Sequence, residues 1–302
     1  MPKYSKAIIF YNKLSGHIKL FDPLLQIRDH FSKCELLYEI IDVPLPHQEI
    51  ETLVSESIKQ GVDLFIAAGG DGTVSFIGDH LVGKNKPLGI LPLGTGNLIS
   101  KELNIPQRLP DALELITSGN HKTILMDTIR FGDRHFIANI SVGIMPKIMQ
   151  NTHSEDKRRL GFLAYVLNFI KQLLGLELQK FTISFDSQED SVLATEILIS
   201  NSRSICVEGL KWSENVLIDD GILNIFVIRA ANAFNLLRLI VSIFTKKEEY
   251  NPGIKAYQFR EYCIVETEQS IPIQADGDCV GETPLEVRVV PKSLNLITGL
   301  TQ

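Results

Sequence analysis

The sequence predicts an α/β domain followed by a second, mostly β-sandwich domain, and two features of its patterning support this. Over residues 1–124, apolar strand-like runs alternate with helix-like runs, which is typical of a parallel sheet with right-handed crossovers. Beyond that point the chain consists mainly of short strand-like runs separated by turn residues. Since the chain has 302 residues, of which 44% are hydrophobic, each domain can bury a core of its own.

The elements of the first domain follow one another in a regular order. Strands are expected at KAIIFYN (6–12), CELLYEIIDV (34–43), VDLFIAAGG (62–70) and PLGILPLG (87–94). Helices are expected at 15–31, 47–60, 71–83 and 95–103, and PDALELITSG (110–119) closes the domain. Parallel strands in this arrangement place their carboxyl ends at one edge of the sheet, where ligands bind.

The second domain is expected over residues 125–291, and the tail 292–302 is expected to return to the first domain. Strands are predicted at 123–131, 133–143, 180–187, 195–202, 221–228, 262–268, 271–278 and 285–291. Two helical runs interrupt them, RRLGFLAYVLNFIKQLLG (158–175) and NAFNLLRLIVSIFT (232–245), and each repeats apolar residues along one face. Such faces most simply pack on a core, although a helix lying on a membrane surface has the same pattern.

Composition excludes several classes of protein. The formal net charge of −6 argues against a general nucleic-acid binder, which normally carries a basic excess. The four cysteines are scattered without a CxxC pair, which argues against a zinc site or a disulfide framework and fits a reducing cytoplasm. No run approaches the roughly 20 apolar residues of a spanning helix, and the short N-terminal run AIIFY is not a signal peptide. We therefore expect a cytoplasmic protein, and attachment to the inner face of the membrane is the alternative. The sequence does not distinguish a monomer from a homo-oligomer.

One glycine-rich loop, Gly69-Gly70-Asp71-Gly72-Thr73, follows the third strand and precedes a helix. Its glycines let the backbone approach a ligand closely, and the start of the helix offers unpaired N–H groups to an anion such as phosphate. Thr73 could cap the helix or bind phosphate, and Asp71 could contact a magnesium shell. A capped strand-to-helix turn explains the loop equally well when the loop is considered alone, and neither GxxxxGK[ST] nor GxGxxG is present.

Two further segments point to the same edge of the sheet. Pro92-Leu93-Gly94-Thr95-Gly96-Asn97 follows the fourth strand and again leads through glycines and a hydroxyl into a helix. The segment YNKLSG, with Asn12, Ser15 and Gly16, ends the first strand. Because the carboxyl ends of parallel strands meet at one edge, we expect the three loops to lie side by side.

The order of these segments resembles the diacylglycerol kinase catalytic domain, and more narrowly the soluble bacterial lipid kinases related to sphingosine kinase. The resemblance covers nearly the whole chain and includes Asp127 in MDTIRF, Asn201 in LISNS, LIDDGIL (217–223), and ADGD (275–278) followed by PLEVRVVP. It implies a first domain that binds nucleotide as in NAD kinase and diacylglycerol kinase. It also implies a lipid kinase that uses ATP and Mg²⁺.

The resemblance implies roles for individual residues as well. ATP lies between the two domains in that family, and the matching loop residues here are Asn12, Ser15, Gly16, Gly69, Gly70, Asp71, Gly72, Thr73, Ser75, Gly94, Thr95 and Asn97. The segment that places magnesium matches Leu217, Asp220 and Ile222, of which only Asp220 offers a side-chain carboxylate. Asp278 matches the acid that takes the proton from the lipid hydroxyl, and Asp71 is the second candidate catalytic acid.

These roles fit the chemistry of phosphoryl transfer, which needs in-line positioning, neutralisation of charge and a base for the incoming hydroxyl. Asp71, Asp220, Asp276 and Asp278 lie far apart in the chain, and a shared magnesium ion would be the simplest reason for them to converge. The Asp-Gly pairs of LIDDGIL and ADGD are also strong signals for hairpin turns, which is the alternative interpretation of both segments.

Several positions depart from the family pattern. Lys13 stands where proline is usual, Ser75 where asparagine is common and Leu98 where aspartate is frequent. A threonine expected near Asp42 and Val43 is missing. Asp278 replaces a glutamate, which shortens the reach of the base by about 1.5 Å, and misplacement on this scale can cost ~10²-fold in rate.

Two other functions stay open. NAD kinase shares the GGDGT loop and a two-domain architecture, although PLGTGN and the spacing of LIDDGIL and ADGD favour a lipid kinase. The altered residues 13, 75 and 278 are compatible with a lipid- or nucleotide-binding protein whose kinase activity is weak or lost. The sequence does not specify the lipid, which could be diacylglycerol, a sphingoid base or a related molecule.

Overall fold

The computed structural model describes residues 4–16, 22–144, 178–202, 217–230 and 253–299 of the chain. The two predicted amphipathic helices, 158–175 and 232–245, lie outside these residues. Among the helices within them, none combines the length and the hydropathy needed to cross a lipid bilayer.

The first domain contains a parallel sheet with the strand order β2-β1-β3-β4. Its strands are β1 (Lys6–Asn12), β2 (Leu37–Val43), β3 (Leu64–Gly69) and β4 (Leu88–Pro92). The helices are α1 (Pro23–Ser32), α2 (His47–Lys59), α3 (Asp71–Asp79), α4 (Leu98–Glu102) and α5 (Leu109–Thr117). Strands β3 and β4 are buried along their whole length, as expected for central parallel strands. The predicted α/β domain is confirmed.

Helix α1 begins later than the sequence pattern predicts. The pattern places its start at residue 15, whereas the helix begins at Pro23. Asp22 is the N-cap, and its Oδ1 accepts the N–H of Leu24 at 2.9 Å. A capping aspartate followed by proline favours a start at this point, because proline has no N–H that would go unpaired. Ser15 and Gly16 instead belong to the turn after β1.

The second domain is built from strands. They are β5 (Lys122–Phe131), β6 (Arg134–Phe136), β7 (Asn139–Gly143), β8 (Gln179–Phe185), β9 (Gln188–Ala194), β10 (Glu196–Ser200), β11 (Leu223–Ile228), β12 (Ile254–Phe259), β13 (Tyr262–Thr267), β14 (Pro272–Ala275), β15 (Asp278–Glu282) and β16 (Leu285–Thr298). The mostly β second domain is thereby confirmed.

The sequence pattern misses β9, β12 and β15, and it joins β6 and β7 into one run. Within the described residues the strands form a ten-stranded and a six-stranded sheet. The first has neighbours in the order β2-β1-β3-β4-β16-β13-β8-β9, with β5 and β6 beside β16, and the second has the order β12-β11-β10-β7-β14-β15. All three missed strands are terminal in these orders. A terminal strand has only one hydrogen-bonded neighbour and buries few side chains, so its sequence lacks a strong apolar alternation.

Strands β5 and β16 connect the two domains. Strand β16 pairs antiparallel with β5 along both of its halves and also pairs in parallel with β4. Met126 of β5 packs in the core of the first domain and Ile129 packs in the core of the second. The register of the pair shifts between Val290 and Leu294, where the strands pass from one core to the other.

Candidate active site

Three polar loops meet at one edge of the parallel sheet. In the strand order β2-β1-β3-β4, the chain leaves β1 to form β2 on one side and then returns to form β3 on the other side. Open α/β sheets bind their ligands in the crevice at such a switch point, which here lies between β1 and β3. The loops after β1 and β3 flank this point, and the loop after β4 lies next to them because β3 and β4 are paired. The predicted placement of the three loops side by side is confirmed.

The loops after β3 and β4 touch through their backbones. A Cβ atom on Gly94 would lie 2.5 Å from the Cα of Gly70, and one on Gly70 would lie 3.3 Å from the Cα of Gly94. No residue with a side chain therefore fits at position 94 unless the neighbouring backbone moves. This close approach, rather than a turn, explains the need for glycine in the second loop.

Thr73 connects the loop after β3 to the loop after β1. Its buried side chain lies over Gly69, where a Cβ would be 2.4 Å from the Thr73 Oγ1. Asn12 donates from Nδ2 to the same Oγ1 at 2.9 Å. Helix α3 has Gly70 as its N-cap and no side-chain cap. Thr73 thus links two loops and does not cap its own helix.

Ser15 and Asp71 bind backbone N–H groups of neighbouring loops. Ser15 Oγ accepts the N–H of Gly70 at 3.2 Å. Asp71 Oδ1 accepts the N–H of Ile99, in the first turn of α4, at 3.0 Å. A carboxylate at this place stabilises the unpaired N–H groups and the positive end of the helix. Asp71 therefore caps the helix of the other glycine loop, a role that the sequence did not indicate.

Asn97 closes the loop after β4. Its backbone is left-handed, with a φ of 51°, a conformation that asparagine tolerates better than most residues. Its Oδ1 accepts the N–H of Gly94 at 2.9 Å, and its Nδ2 donates to the Gly94 carbonyl at 3.0 Å. Thr95 is exposed at the tip of the loop. Asn97 therefore shapes the loop while the tip faces solvent.

Gly72 faces open space. The residue is exposed, and no atom lies within 4 Å of the place a Cβ would take. It lies in the first turn of α3, where glycine costs roughly 0.5–1 kcal/mol of stability relative to alanine. Packing within the protein does not explain this glycine. The space beside the start of the helix is available to an anionic ligand.

The second domain reaches this helix through Asp276. Ser75 of α3 donates its hydroxyl hydrogen to Oδ2 of Asp276. The same carboxylate accepts the backbone N–H groups of Ile137, Ala138 and Asn139 at 2.7, 3.0 and 2.8 Å. Burial raises the pKa of the Asp276 carboxyl in spite of these four donors. The carboxylate is thus held by groups of the protein itself.

Asp276 and Gly277 form the two-residue turn of the β14–β15 hairpin. Their φ values of 44° and 98° are typical of the type I′ turn, which favours Asp-Gly. The hairpin interpretation of this segment is confirmed. Asp278 is the first residue of β15, pairs with Ala275 and is exposed. Two residues span at most about 7 Å, so the backbone of Asp278 stays close to that of Asp276.

Asp127 holds the segment that matches the predicted magnesium site. It is completely buried on β5. Its Oδ2 accepts the N–H of Gly221 at 2.6 Å, and its Oδ1 accepts the N–H of Lys292 at 2.7 Å. Burial raises the pKa of the Asp127 carboxyl. The two N–H donors lower this pKa, and the negative charges of Asp220 and Asp219 raise it further, so that the net shift is upward. Asp127 thereby joins β5, β16 and the loop before β11.

The predicted magnesium ligands lie in that loop. Oδ1 of Asp220 accepts the N–H of Ile222 at 3.0 Å, within the same turn. The Asp220 carboxylate and the backbone carbonyls of Leu217 and Ile222 are hard oxygen donors, which is the type that Mg²⁺ prefers. The chemistry of this donor set fits magnesium.

The expected convergence of Asp71, Asp220, Asp276 and Asp278 on one ion is wrong. Across the described ranges of the chain, no group of three or more His, Cys, Asp or Glu side chains is arranged to hold a metal ion. Asp71 and Asp276 bind backbone N–H groups instead. These N–H groups stabilise a carboxylate without a cation, which removes the reason for convergence.

Helix α3 contacts the second domain at its C-terminal end as well. Asp79 Oδ1 accepts the N–H of His135 at 2.8 Å, and its Oδ2 lies 3.3 Å from Arg134 Nε and 3.1 Å from His47 Nε2. Burial alone would raise the pKa of Asp79. The hydrogen bonds from the side chain of His135, whose Nδ1 lies 3.2 Å from Oδ1, from His47, from the His135 backbone and from Arg134 lower this pKa to about 2. The ring of His80 lies 4.0 Å from that of His47, and burial lowers the pKa of His80 to about 4. No sequence motif links these residues, so sequence reasoning misses them.

Two family descriptions match the chain. The diacylglycerol kinase catalytic domain matches residues 6–129. The YegS C-terminal NAD kinase beta sandwich-like domain matches residues 138–298 and includes the β14–β15 hairpin. The chain belongs to the diacylglycerol kinase catalytic-domain family. The resemblance that the sequence motifs indicate is confirmed.

Similar proteins match this chain over nearly its whole length. An uncharacterized protein of Synechocystis sp. is 32% identical over 308 residues, which cover 98% of this chain and 71% of that protein. A Staphylococcus carnosus protein named "Putative lipid kinase" is 26% identical, with 97% of each chain covered. A crystal structure of "a putative diacylglycerol kinase" from Bacillus anthracis has a TM-score of 0.80 at 25% identity, with 98% of this chain and 96% of that chain covered. The chain is therefore kinase-like in family and fold.

Proposed function

We propose that the protein is a magnesium-dependent lipid kinase, which transfers the γ-phosphoryl group of ATP to a hydroxyl of diacylglycerol, a sphingoid base or a related lipid. The family match supports the kinase class. One contact carries the proposal: Ser75 donates to Asp276 and so brings the turn before Asp278 to the helix of the glycine loop. The active site then lies between the two domains.

The first domain, residues 1–124 with 292–302, binds the nucleotide in this proposal. The phosphates lie against the start of α3, over Gly72, where the protein leaves open space. The loops that contain Asn12 to Gly16 and Gly94 to Asn97 border this space. Their mutual hydrogen bonds and the glycine contact hold the cradle in shape before the nucleotide arrives.

Asp278 is the general base of the proposed reaction. Its carboxylate takes the proton of the lipid hydroxyl as that oxygen forms a bond to the γ-phosphorus. The bond from the γ-phosphorus to the β,γ-bridging oxygen breaks, and ADP and the phosphorylated lipid leave. Because Asp278 is exposed, a hydroxyl presented from outside can reach it. Asp71 is the second acid, at the start of α3.

The carboxylate of Asp220 and the carbonyl oxygens of Leu217 and Ile222 would hold magnesium. When bound, Mg²⁺ neutralises negative charge in a phosphoryl-transfer site. Asp127 keeps the loop of these ligands in place through the Gly221 N–H. Residues 125–291 also supply the lipid pocket, and the protein works in the cytoplasm, at the inner face of the membrane.

A transfer assay tests the function. The purified protein is incubated with γ-labelled ATP, Mg²⁺ and vesicles containing diacylglycerol or a sphingoid base. We expect label in the organic phase. Asp278→Asn should lower the rate on the order of 10²- to 10⁴-fold, the usual contribution of a general base. Asp133→Asn is the matched control, because Asp133 is an exposed aspartate in the turn between β5 and β6.

NAD is the second substrate to test, because residues 138–298 match an NAD kinase-like sandwich. A parallel reaction contains NAD in place of lipid. Label that appears only in a water-soluble dinucleotide would replace the lipid proposal with the NAD kinase alternative. Equal lipid labelling by wild type and Asp278→Asn would reject the base assignment, and labelling at background in both reactions would favour a binding protein that has lost kinase activity.

A further inference from the structure

Helix α3 has one face that contacts the second domain from Ser75 to its C-terminal end. Ser75, Gly78 and Asp79 lie on this face, because residues three and four apart are neighbours on a helix. Ser75 binds Asp276, Asp79 binds strand β6, and Gly78 lies against Ile137. We call these three residues the interdomain face of α3.

Gly78 shows how closely the two surfaces pack. A Cβ on Gly78 would lie 2.7 Å from the Cδ1 of Ile137 and 3.1 Å from the Cδ2 of Leu294. Ile137 also begins the three-residue segment whose N–H groups bind Asp276. This segment therefore packs on α3 and is hydrogen-bonded to the hairpin turn.

The turn that carries Asp278 is held from two sides. Three of the four hydrogen bonds to the Asp276 carboxylate come from the segment 137–139 of the second domain. The fourth comes from Ser75 and is the one that the first domain supplies. Since Asp278 follows this turn directly in β15, its position relative to α3 depends on the bond between Ser75 and Asp276.

We propose that Ser75 and Asp276 are positioning residues, which together set the distance between the glycine loop at the start of α3 and Asp278. This inference rests on the proposed function of Asp278 as the base, and it holds for any lipid. Ser75 is only 5% exposed, and its hydroxyl donates to Asp276. The family resemblance implies that Ser75 contacts the nucleotide. In this proposal Ser75 acts instead through its hydrogen bond to the hairpin turn.

Ser75→Ala tests this assignment, since it removes one donor while three others still hold Asp276. We expect kcat for lipid phosphorylation to fall on the order of 10- to 100-fold, because misplacement by about 1 Å has effects of this size. KM for ATP should stay near the wild-type value. Ser75→Thr keeps a hydroxyl and should recover most of kcat. The matched control is Ser57→Ala, which alters another buried helical serine of the first domain and should keep the wild-type kcat.

Hydrogen–deuterium exchange of the peptide 272–282 gives a second readout that needs no substrate. We expect faster exchange in Ser75→Ala and wild-type exchange in Ser57→Ala. Unchanged exchange together with unchanged kcat would overturn the inference, as would a raised KM for ATP with unchanged kcat. If the wild type phosphorylates no lipid, the proposed function fails, and the exchange data alone then accept or reject the positioning role.

Discussion

The two ends of helix α3 are built in opposite ways. At the N-terminal end, Gly70 lies against the backbone of Gly94, and Gly72 faces open space. At the C-terminal end, the Asp79 carboxylate is 5% exposed and has three partners, and the buried His80 contacts the ring of His47. Breaking a buried charged contact is strongly destabilising, so the C-terminal end anchors the helix. The N-terminal end can therefore stay open for a ligand while the helix remains fixed.

Gly94→Ala should have the largest effect, because it acts on the backbone contact of the open end. The new Cβ would lie 2.5 Å from the Cα of Gly70, and no rotation of a side chain can relieve this overlap. Overpacking of this kind costs about 1–3 kcal/mol or more, and we expect a loss at the upper end of that range together with loss of ATP binding. Denaturant unfolding and calorimetric titration with ATP measure both. A stability within 1 kcal/mol of wild type would show that the two loops can separate easily.

The anchored end should make the protein sensitive to acid. The folded-state pKa of Asp79 is about 2, below its ordinary 3.8, so its contribution is present above pH 3.8 and is lost as the pH falls toward 2. The folded-state pKa of His80 is about 4, below its ordinary 6.5. As the pH falls, the His80 imidazole of the unfolded chain is protonated before that of the folded protein. The contribution of His80 to the free energy of unfolding is therefore lost between pH 6.5 and pH 4. The shift of Asp79 corresponds to roughly 2 kcal/mol and that of His80 to roughly 3 kcal/mol, both as upper values before screening by solvent.

Unfolding free energies at several pH values separate the two residues. His80→Gln should flatten the profile between pH 6.5 and 4, and Asp79→Asn should flatten it between pH 4 and 2. The groups that act on His80 are His47, Asp79, Arg134 and Lys84. If the free energies of unfolding of both variants change with pH in the same way as that of the wild type, these side chains do not anchor the helix.

Gly72→Ala should have the smallest effect on stability and should sharpen the contrast between the two ends. No atom of the protein lies near the new methyl group, and alanine in a helix is favoured over glycine by roughly 0.5–1 kcal/mol. We therefore expect a slightly more stable protein with a weaker affinity for ATP. An affinity for ATP equal to that of the wild type in calorimetric titration would show that the phosphates do not bind at this part of α3.

The sequence predicted much of this site because its signals are local. Asn12, Gly70 and Gly94 each follow an apolar run, and the carboxyl ends of parallel strands meet at one edge. The turn at Asp276 and Gly277 was also readable, since Asp-Gly is the preferred pair for a type I′ hairpin. Three edge strands, β9, β12 and β15, were missed because they bury too few side chains to show a pattern, whereas the apolar run of the edge strand β2 was recognised.

The sequence by itself thus determined the two-domain fold, the family and the three loops. Only the tertiary structure decided which groups bind each carboxylate. Asp71 caps α4 and Asp276 binds the segment 137–139, whereas Asp278, two residues further on, stays exposed. The physical reason is that the N–H groups that hold these carboxylates come from distant parts of the chain, and folding alone brings them within hydrogen-bonding distance. The same reason applies to Asp79, because its partners lie on α2 and β6, far from α3 in the sequence.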